Sequence, residues 1–189
     1  MSVKKIIEKE KNLNSTRVIQ IRKLLKNIIA NPKIIPQRIP STQQNKIIFC
    51  VSDDRITNYG QFISGNIGEK FKTRNKSFRA SYYEIWDKII GTKQDYCLNR
   101  MYLHIYRVNE NSMKEYVLLH TDPIDNDKTH GNYKRSPHIH FKNVSDELIS
   151  HAHIALNITD YNEVFSNITK LNECFLAHVK MIAHQILKI

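Results

Sequence analysis

The sequence predicts an α+β fold, in which an antiparallel sheet of about four strands packs against N-terminal, central and long C-terminal helices. Apolar residues recur at helical spacing near both ends of the chain, and two alternating runs in the middle are separated by a short polar segment. Gly and Pro number only five each among 189 residues, a composition typical of folded chains. We expect a single domain over 1–189, with an N-terminal helix and a Pro-containing connector over 1–45 and an α+β core with the C-terminal helix over 46–189.

Apolar spacing predicts three helices. The first covers 15–30, with Ser15 as its N-cap and Pro32 beyond its end, and its outer face carries the basic residues Arg17, Arg22, Lys23 and Lys26. The second covers 78–90, where Phe78, Tyr82, Ile85, Trp86 and Ile89 share one side. The third covers 161–188, whose apolar stripe either covers the sheet or forms a homodimer with a second copy.

Four strands are predicted between these helices. The apolar, β-branched run over 46–53 reads as a buried strand, after an extended connector over 32–44. Residues 100–108 and 115–121 alternate in twos, which indicates a β-hairpin, and 137–143 alternates in the same way.

The charge of the chain points to a polyanionic partner. It has 29 Lys and Arg against 18 Asp and Glu, a net charge of +11, so nucleic acid, with RNA favoured, is the first partner to consider. In "EKFKTRNKSFRA" basic groups alternate with aromatic rings, which suits phosphates and stacked bases. A solvated loop anchored by its two Phe residues is the alternative. The predicted nucleic-acid-binding residues are Lys70, Lys72, Arg74, Lys76, Arg79 and Phe71.

The three cysteines, Cys50, Cys97 and Cys174, are far apart and form no C-x-x-C pair, so we expect buried thiols in a reducing compartment. The first thirty residues mix Lys and Glu with apolar positions, and no apolar run is long enough for a membrane span. The expected location is cytoplasmic, without membrane contact.

Histidines provide the most distinctive pattern in the sequence. Seven of the nine lie between Leu103 and Ile154. In "SPHIHFKN" the alternation of a strand places His138, His140 and Lys142 on one face. "SHAHIALN" fits either a helix, in which only one of its two histidines faces a common site, or a strand, in which both do.

Three functions remain open for this histidine face. First, the side chains act as general acid and base on a phosphodiester, with no cofactor; the catalytic candidates are His138, His140, His120 and Lys142. Second, a divalent metal ion is bound by His138 and His140 with Asp122, His120 or His153. Third, the histidines are polar positions without chemistry. A histidine-triad hydrolase would require a third His where Lys142 stands.

The stretch "HTDPIDNDKTHGNYKRSPHIHF" resembles the TumE-type toxins of bacterial toxin–antitoxin systems, in which a tyrosine-rich hairpin leads to an Asp-containing turn and then to a Pro-His-rich strand. The resemblance covers about residues 98–180, and the matching residues are Tyr102, Tyr106, Asp122, Pro137, His138 and His140. It implies an RNA-directed or growth-inhibiting activity held in check by a protein partner such as an antitoxin.

Taken together, these patterns predict a nuclease, acting on RNA in a bacterial toxin or phage-defence system and centred on His138 and His140. The alternative is a non-catalytic nucleic-acid-binding or assembly subunit of a larger complex, in which the basic segment over 70–79 binds and the histidines are incidental.

Overall fold

The computed structural model describes residues 5–29, 32–39, 46–51, 71–110, 112–124, 135–142, 151–154 and 161–189. Within them the fold is α+β, with a nine-stranded antiparallel sheet and a set of helices. The strands are β1 (Ile7–Lys9), β2 (Ile34–Ile39), β3 (Lys46–Val51), β4 (Phe71–Lys72), β5 (Phe78–Lys88), β6 (Asp95–Asn109), β7 (Ser112–Thr121), β8 (His138–Lys142) and β9 (His151–Ile154). The helices are α1 (Glu10–Asn12), α2 (Val18–Leu25), α3 (Tyr161–Val164) and α4 (Ile168–Met181), with π-helical segments at Leu13–Arg17 and Ile182–Ile186.

The sheet has the order β2-β3-β5-β6-β7-β8-β9, with β1 paired to β6 and β4 paired to β5. Every pairing is antiparallel. The predicted hairpin is formed by β6 and β7, and the strands predicted over 46–53 and 137–143 are β3 and β8. Of the two structures considered for "SHAHIALN", a helix and a strand, the strand is observed, as β9 over His151–Ile154.

The helix predicted over 78–90 is wrong, because these residues form β5. This strand lies inside the sheet between β3 and β6, and its residues from Ala80 to Asp87 are buried on both faces. A strand covered on both sides shows no alternation of apolar and polar side chains, so its aromatic residues imitate helical spacing. The connector predicted over 32–44 is also more regular than expected, since it contains β2.

The N-terminal helix begins earlier than predicted, at Glu10. Ser15 is not its N-cap: it lies in the π-helical segment, where its hydroxyl donates to the Lys11 carbonyl at 2.8 Å. Arg17, predicted on the exposed basic face, is only 2% exposed. Its guanidinium donates two hydrogen bonds, both 2.7 Å long, to the carboxylate of Glu84 on β5, and this buried ion pair joins the helices to the sheet.

Helix α4 covers the same face of the sheet. Asn167 caps it by accepting a hydrogen bond from the Lys170 amide at 3.0 Å. Leu171, Phe175 and Val179 are fully buried in the single chain, and the Phe175 ring meets the edge of Tyr82 on β5. The apolar stripe therefore packs within its own chain, and a homodimer through 161–188 stays a prediction.

The opposite face of the sheet carries aromatic and titratable side chains instead. On β6, Leu103 and Ile105 belong to the apolar core, while the alternate residues Tyr102, His104 and Tyr106 have their rings close together. We refer to this side as the histidine face. It positions the candidate site described next.

Candidate functional site

Three histidines from two neighbouring strands meet on the histidine face. His120 on β7 is the register partner of His138 on β8, and His140 lies two residues further along β8. Residues two apart on a strand point to the same side, so all three rings converge. Their ring centroids are 4.2, 4.4 and 4.8 Å apart.

The ring nitrogens of this histidine cluster lie within reach of one common ion. One nitrogen from each of the three side chains lies within 4.8 Å of the others. The Nε2 atoms of His120 and His140 are 2.6 Å apart, which is a hydrogen-bonding distance. The exposed fractions are 4% for His120, 0% for His138 and 8% for His140, so the cluster is largely shielded from solvent.

Two of the rings are oriented by acceptors on their other nitrogen. His120 Nδ1 lies 2.8 Å from Asp122 Oδ2, and His138 Nδ1 lies 2.7 Å from the carbonyl oxygen of Ser136. An Nδ1–H that donates to such an acceptor leaves Nε2 with its lone pair. The arrangement therefore directs the Nε2 lone pairs of His120 and His138 into the cluster.

Asp122 is itself held by a neighbouring phenol. The Tyr102 hydroxyl lies 3.0 and 2.9 Å from the two carboxylate oxygens of Asp122 and donates to them. Burial, followed by the negative charge of Asp122, raises the pKa of Tyr102 far above its ordinary value. Tyr102 thus remains a hydrogen-bond donor, and a continuous series of hydrogen bonds runs from Tyr102 through Asp122 to His120.

A further histidine on this face has a different environment. His104 Nδ1 is hydrogen-bonded to the Glu115 carboxylate, and the rings of Tyr83 and Tyr106 stack nearly parallel to it at 6.1 Å. It lies beside Tyr102 and outside the histidine cluster. These contacts give His104 a packing role in the wall next to the site.

Two arginines contact neighbours of the cluster residues. Arg100 on β6 has its guanidinium carbon 5.9 Å from the centroid of the Tyr102 ring. Arg135 accepts a hydrogen bond on its carbonyl oxygen from the Thr121 hydroxyl, so its backbone adjoins the residue between His120 and Asp122. Within the described part of the chain, Arg135 Nε is buried without a hydrogen-bond partner.

The predicted site residues His120, His138 and His140 thus come together, while Asp122 faces a ring nitrogen as acceptor and is not among the converging ligand atoms. The backbone places His153 opposite His140 and His151 opposite Lys142. The Lys142, His151 and His153 side chains, His130 and Lys70 lie outside the described residues.

The sequence patterns did not single out Arg100; its place before Tyr102 in an alternating strand was the only signal.

The predicted nucleic-acid-binding segment lies away from the cluster. Lys72, Arg74 and Lys76 are exposed and Arg79 is partly buried, around a turn that leads into β5. Phe71 pairs with Ala80 through its backbone, and its side chain lies outside the described residues. The predicted binding segment is thus separate from the cluster: the segment surrounds the turn before β5, and the cluster lies on β7 and β8.

The cluster has two chemical capacities. Three converging imidazoles, two of them oriented by acceptors, could serve as ligands of a transition-metal ion, with an outer layer of Asp122, Tyr102 and the Ser136 carbonyl. Without an ion, the His120–His140 hydrogen bond could pass a proton between two rings, which is the arrangement that general acid–base chemistry uses.

The fold and the site define an antiparallel α+β protein with a buried three-histidine cluster on the sheet face away from the helices. Comparisons with protein-family models, curated protein sequences and solved structures find no significant match to the chain. Among the described residues, no helix has the length and apolar character that crossing a membrane requires.

Proposed function

We propose that this chain is a metal-dependent phosphodiesterase that cleaves nucleic acid. The single observation that carries the proposal is the histidine cluster, in which three imidazole nitrogens converge. Two of the rings are oriented through their Nδ1 atoms, by Asp122 and by the Ser136 carbonyl. Metal-ligating histidines almost always donate their second ring N–H to a carboxylate or a backbone carbonyl. His178, a buried histidine of α4, also places its Nδ1 against a backbone carbonyl, so what distinguishes the cluster is the convergence of three rings.

The dimensions of the cluster suit a small divalent ion. Zinc binds imidazole nitrogen at about 2.0–2.1 Å in tetrahedral geometry, which places two ligand nitrogens about 3.3 Å apart. His120 Nε2 and His140 Nε2 are 2.6 Å apart, so they would need to separate by roughly 0.7 Å. We expect rotations of the two rings to supply that change. Three protein ligands leave a position for water, whose pKa a catalytic zinc lowers to about 7.

The charges near the cluster favour an anionic substrate. The net charge of the chain is +11, the Arg100 guanidinium lies by the Tyr102 ring, and the Arg135 backbone is bonded to Thr121, next to His120. Arginine binds phosphate oxygens through a planar fork of donors and stabilises the charge that develops during displacement at phosphorus. We therefore assign the phosphate of the substrate to the side of the cluster where these arginines lie.

RNA as the substrate and a bacterial toxin or phage-defence setting, with an antitoxin-like partner, belong to the same proposal. They are supported by the resemblance of residues 98–180 to TumE-type toxins. Of the residues that carry this resemblance, Tyr102, Asp122, His138 and His140 take part in the cluster and its outer layer.

The burial of the cluster favours a second candidate function. His138 is fully inaccessible, and structural zinc sites are closed whereas catalytic sites are open to substrate. In this candidate the ion stabilises the fold of a non-catalytic nucleic-acid-binding subunit. Both candidates bind the metal ion at the cluster, but only the first cleaves a substrate.

The proposal is tested by stripping the purified chain of metal, reloading it with Zn²⁺ or Mn²⁺ and measuring bound metal together with cleavage of bis(p-nitrophenyl) phosphate and of labelled RNA and DNA. His140→Ala is the test variant, and His178→Ala, which removes a buried histidine of α4 outside the cluster, is the matched control. We expect one metal per chain and metal-dependent cleavage, both lost in His140→Ala and kept in His178→Ala.

The other outcomes separate the alternatives. Bound metal without cleavage of any substrate supports the structural candidate and overturns the enzyme. Cleavage that survives complete removal of metal overturns metal dependence and supports proton transfer between His120 and His140. A chain that binds no metal and cleaves nothing overturns both candidates.

A further inference from the structure

Three segments that are distant in sequence meet at one end of the molecule. The Arg74 guanidinium donates to the Lys26 carbonyl at 3.2 and 3.1 Å, and the Arg74 amide donates to the Ile28 carbonyl at 2.9 Å. The Asn75 side-chain amide donates to the Leu187 carbonyl at 2.7 Å. The end of α2, the turn before β5 and the C-terminus therefore form one continuous surface.

This surface is rich in cations and contains no acidic side chain from the three segments that form it. Residues 11–52, 70–83 and 174–189 include no Asp or Glu. None of the ion pairs found among the described residues involves its cations. We name it the basic surface; its members, all exposed, are Arg22, Lys23, Lys26, Lys72, Arg74, Lys76 and Lys188.

The acidic residues lie elsewhere, and several gather at the opposite end of the sheet. Strand β5 runs from the basic surface to a turn at the far end, where Asp87 and Asp95 stand. Glu8 on β1 pairs across to Tyr96 at that same end. Lys9, Lys46 and Lys93 lie among these carboxylates, so charges of both signs are mixed at that end, whereas the three segments at the start of β5 bring cations alone.

We propose that the basic surface docks the sugar–phosphate backbone of single-stranded nucleic acid. The inference rests on the proposed function, whose substrate it would hold. Exposed, unneutralised cations gain most from phosphates because each phosphate they neutralise releases condensed counterions. Phe78 begins β5 beside the turn and lies 6.1 Å from the Tyr116 ring, so a partly exposed aromatic pair borders the cations and offers a stacking platform for bases.

The basic surface, where nucleic acid would dock, lies apart from the histidine cluster, where it would be cleaved. Phe78 is the register partner of Arg107, and the cluster adjoins Tyr102, five residues along β6. Five residues of strand span about 17 Å. A single strand of nucleic acid held at the basic surface must therefore extend along β6 and reach the other face of the sheet before one of its phosphates meets the cluster. Short diesters do not need the basic surface, whereas polymers do.

The test measures binding in EDTA, so that no metal-dependent cleavage occurs, by fluorescence anisotropy of labelled single strands of about 20 nucleotides across about 50–300 mM KCl. The variants are Lys72→Gln/Lys76→Gln and Arg22→Gln/Lys23→Gln. Arg74 is kept because its side chain also bonds to Lys26. The matched control is Lys9→Gln/Lys93→Gln, which removes two exposed lysines from the opposite end of β5.

We expect each basic-surface variant to bind about tenfold more weakly, with the control close to wild type. The salt dependence of the variants should also be shallower, by about 0.7 in slope for each phosphate that the variant no longer neutralises. An equal weakening in the control would overturn the inference, because net charge alone would then explain binding. Preference for anionic phosphatidylserine vesicles over nucleic acid, or for duplex over single strands, would also overturn it.

The outcome is distinguishable from that of the proposed function. If the basic-surface variants still turn over bis(p-nitrophenyl) phosphate while wild type fails to bind polymers, docking is wrong and the enzyme stands. If wild type binds single strands through the basic surface and cleaves neither polymer nor small diester, docking stands and the enzyme is wrong.

Discussion

Asp122 Oδ2 accepts a hydrogen bond from His120 Nδ1 at 2.8 Å, and this bond determines which nitrogen of His120 faces the cluster. With the proton fixed on Nδ1, the lone pair of Nε2 points toward His140. In the proposed metal site Asp122 therefore acts through His120 as a positioning residue and not as a ligand. The distinction can be tested because a ligand and a positioning residue differ in the cost of their removal.

Asp122→Asn is expected to weaken zinc binding by about 10- to 100-fold and to retain one zinc per chain, because outer partners of metal ligands contribute on that scale. Tyr102→Phe removes the phenol that donates to Asp122 and is expected to have a smaller effect in the same direction. Competition with a chromophoric chelator measures both affinities. Asp95→Asn, on the same strand as Tyr102 but at its far end, is the control. Complete absence of zinc from Asp122→Asn would contradict the positioning role.

Arg135→Gln is expected to lower kcat/KM for a diester by about tenfold while zinc affinity stays unchanged, because its backbone is bonded to Thr121, next to His120, and the proposal assigns the substrate phosphate to its guanidinium. Steady-state kinetics and the chelator competition are measured on the same preparation. Arg107→Gln, an exposed arginine at the far end of β6 from the cluster, is the matched substitution. A variant that loses zinc and activity in parallel would show that Arg135 supports the fold of the site instead.

The histidine cluster was partly predictable because strand alternation is a local property. "SPHIHFKN" and "EYVLLHT" each fix the face on which their histidines lie. That His120 lies opposite His138 depends on the register of β7 against β8, which no local pattern determines. The sequence offered His120, Asp122 and His153 as companions of the pair, and the register of β7 against β8 is what brings His120 to it.

The fold was less predictable where burial removes the pattern. Tyr82, Tyr83, Ile85 and Trp86 alternate between the two faces of β5 and are all buried, so their spacing predicts a helix where a strand forms. Arg17 is the complementary case. Its charge predicted solvent exposure, and only the distant Glu84 explains why it is buried.

Breaking the Arg17–Glu84 pair is expected to destabilise the chain strongly. Both side chains are nearly inaccessible, and Tyr82 and Trp86 also donate to the Glu84 carboxylate. Arg17→Met leaves this carboxylate without its cation, at a cost of about 3–5 kcal/mol, and Glu84→Gln leaves the cation alone at a similar cost. Arg17→Met/Glu84→Gln leaves no buried charge and should cost clearly less than the sum.

Urea unfolding of the wild type and these three variants measures the coupling between the two residues. The surface pair Lys170–Glu173 on α4 serves as the comparison, and a Lys170→Met/Glu173→Gln cycle is expected to show no measurable coupling because water screens it. Additive costs for Arg17 and Glu84 would mean that the two charges do not compensate one another in the folded chain.

The stability of the chain is expected to fall steeply above pH 10. Burial raises the pKa of Tyr83 to about 12, and burial also raises the pKa of Tyr82, Tyr102 and Tyr106 on the same two strands. An unfolded tyrosine has a pKa of about 10, so above that pH the unfolded chain loses phenolic protons that the folded chain retains. Folded-state stability from these groups is complete below pH 10 and is lost as the pH rises toward 12.

The slope of this decline is set by the number of buried phenols. Each contributes up to about 1.4 kcal/mol per pH unit to the fall in the free energy of unfolding, because the folded state binds one more proton than the unfolded state. Urea unfolding between pH 8 and 11, followed by circular dichroism, measures the slope, and Tyr83→Phe should make it shallower above pH 10 without changing it below pH 9. A free energy of unfolding that stays constant through pH 11, or a slope that Tyr83→Phe leaves unchanged, would show that these phenols ionise as easily in the folded chain as in the unfolded one. It would also remove the basis for treating Tyr102 as a permanent donor to Asp122.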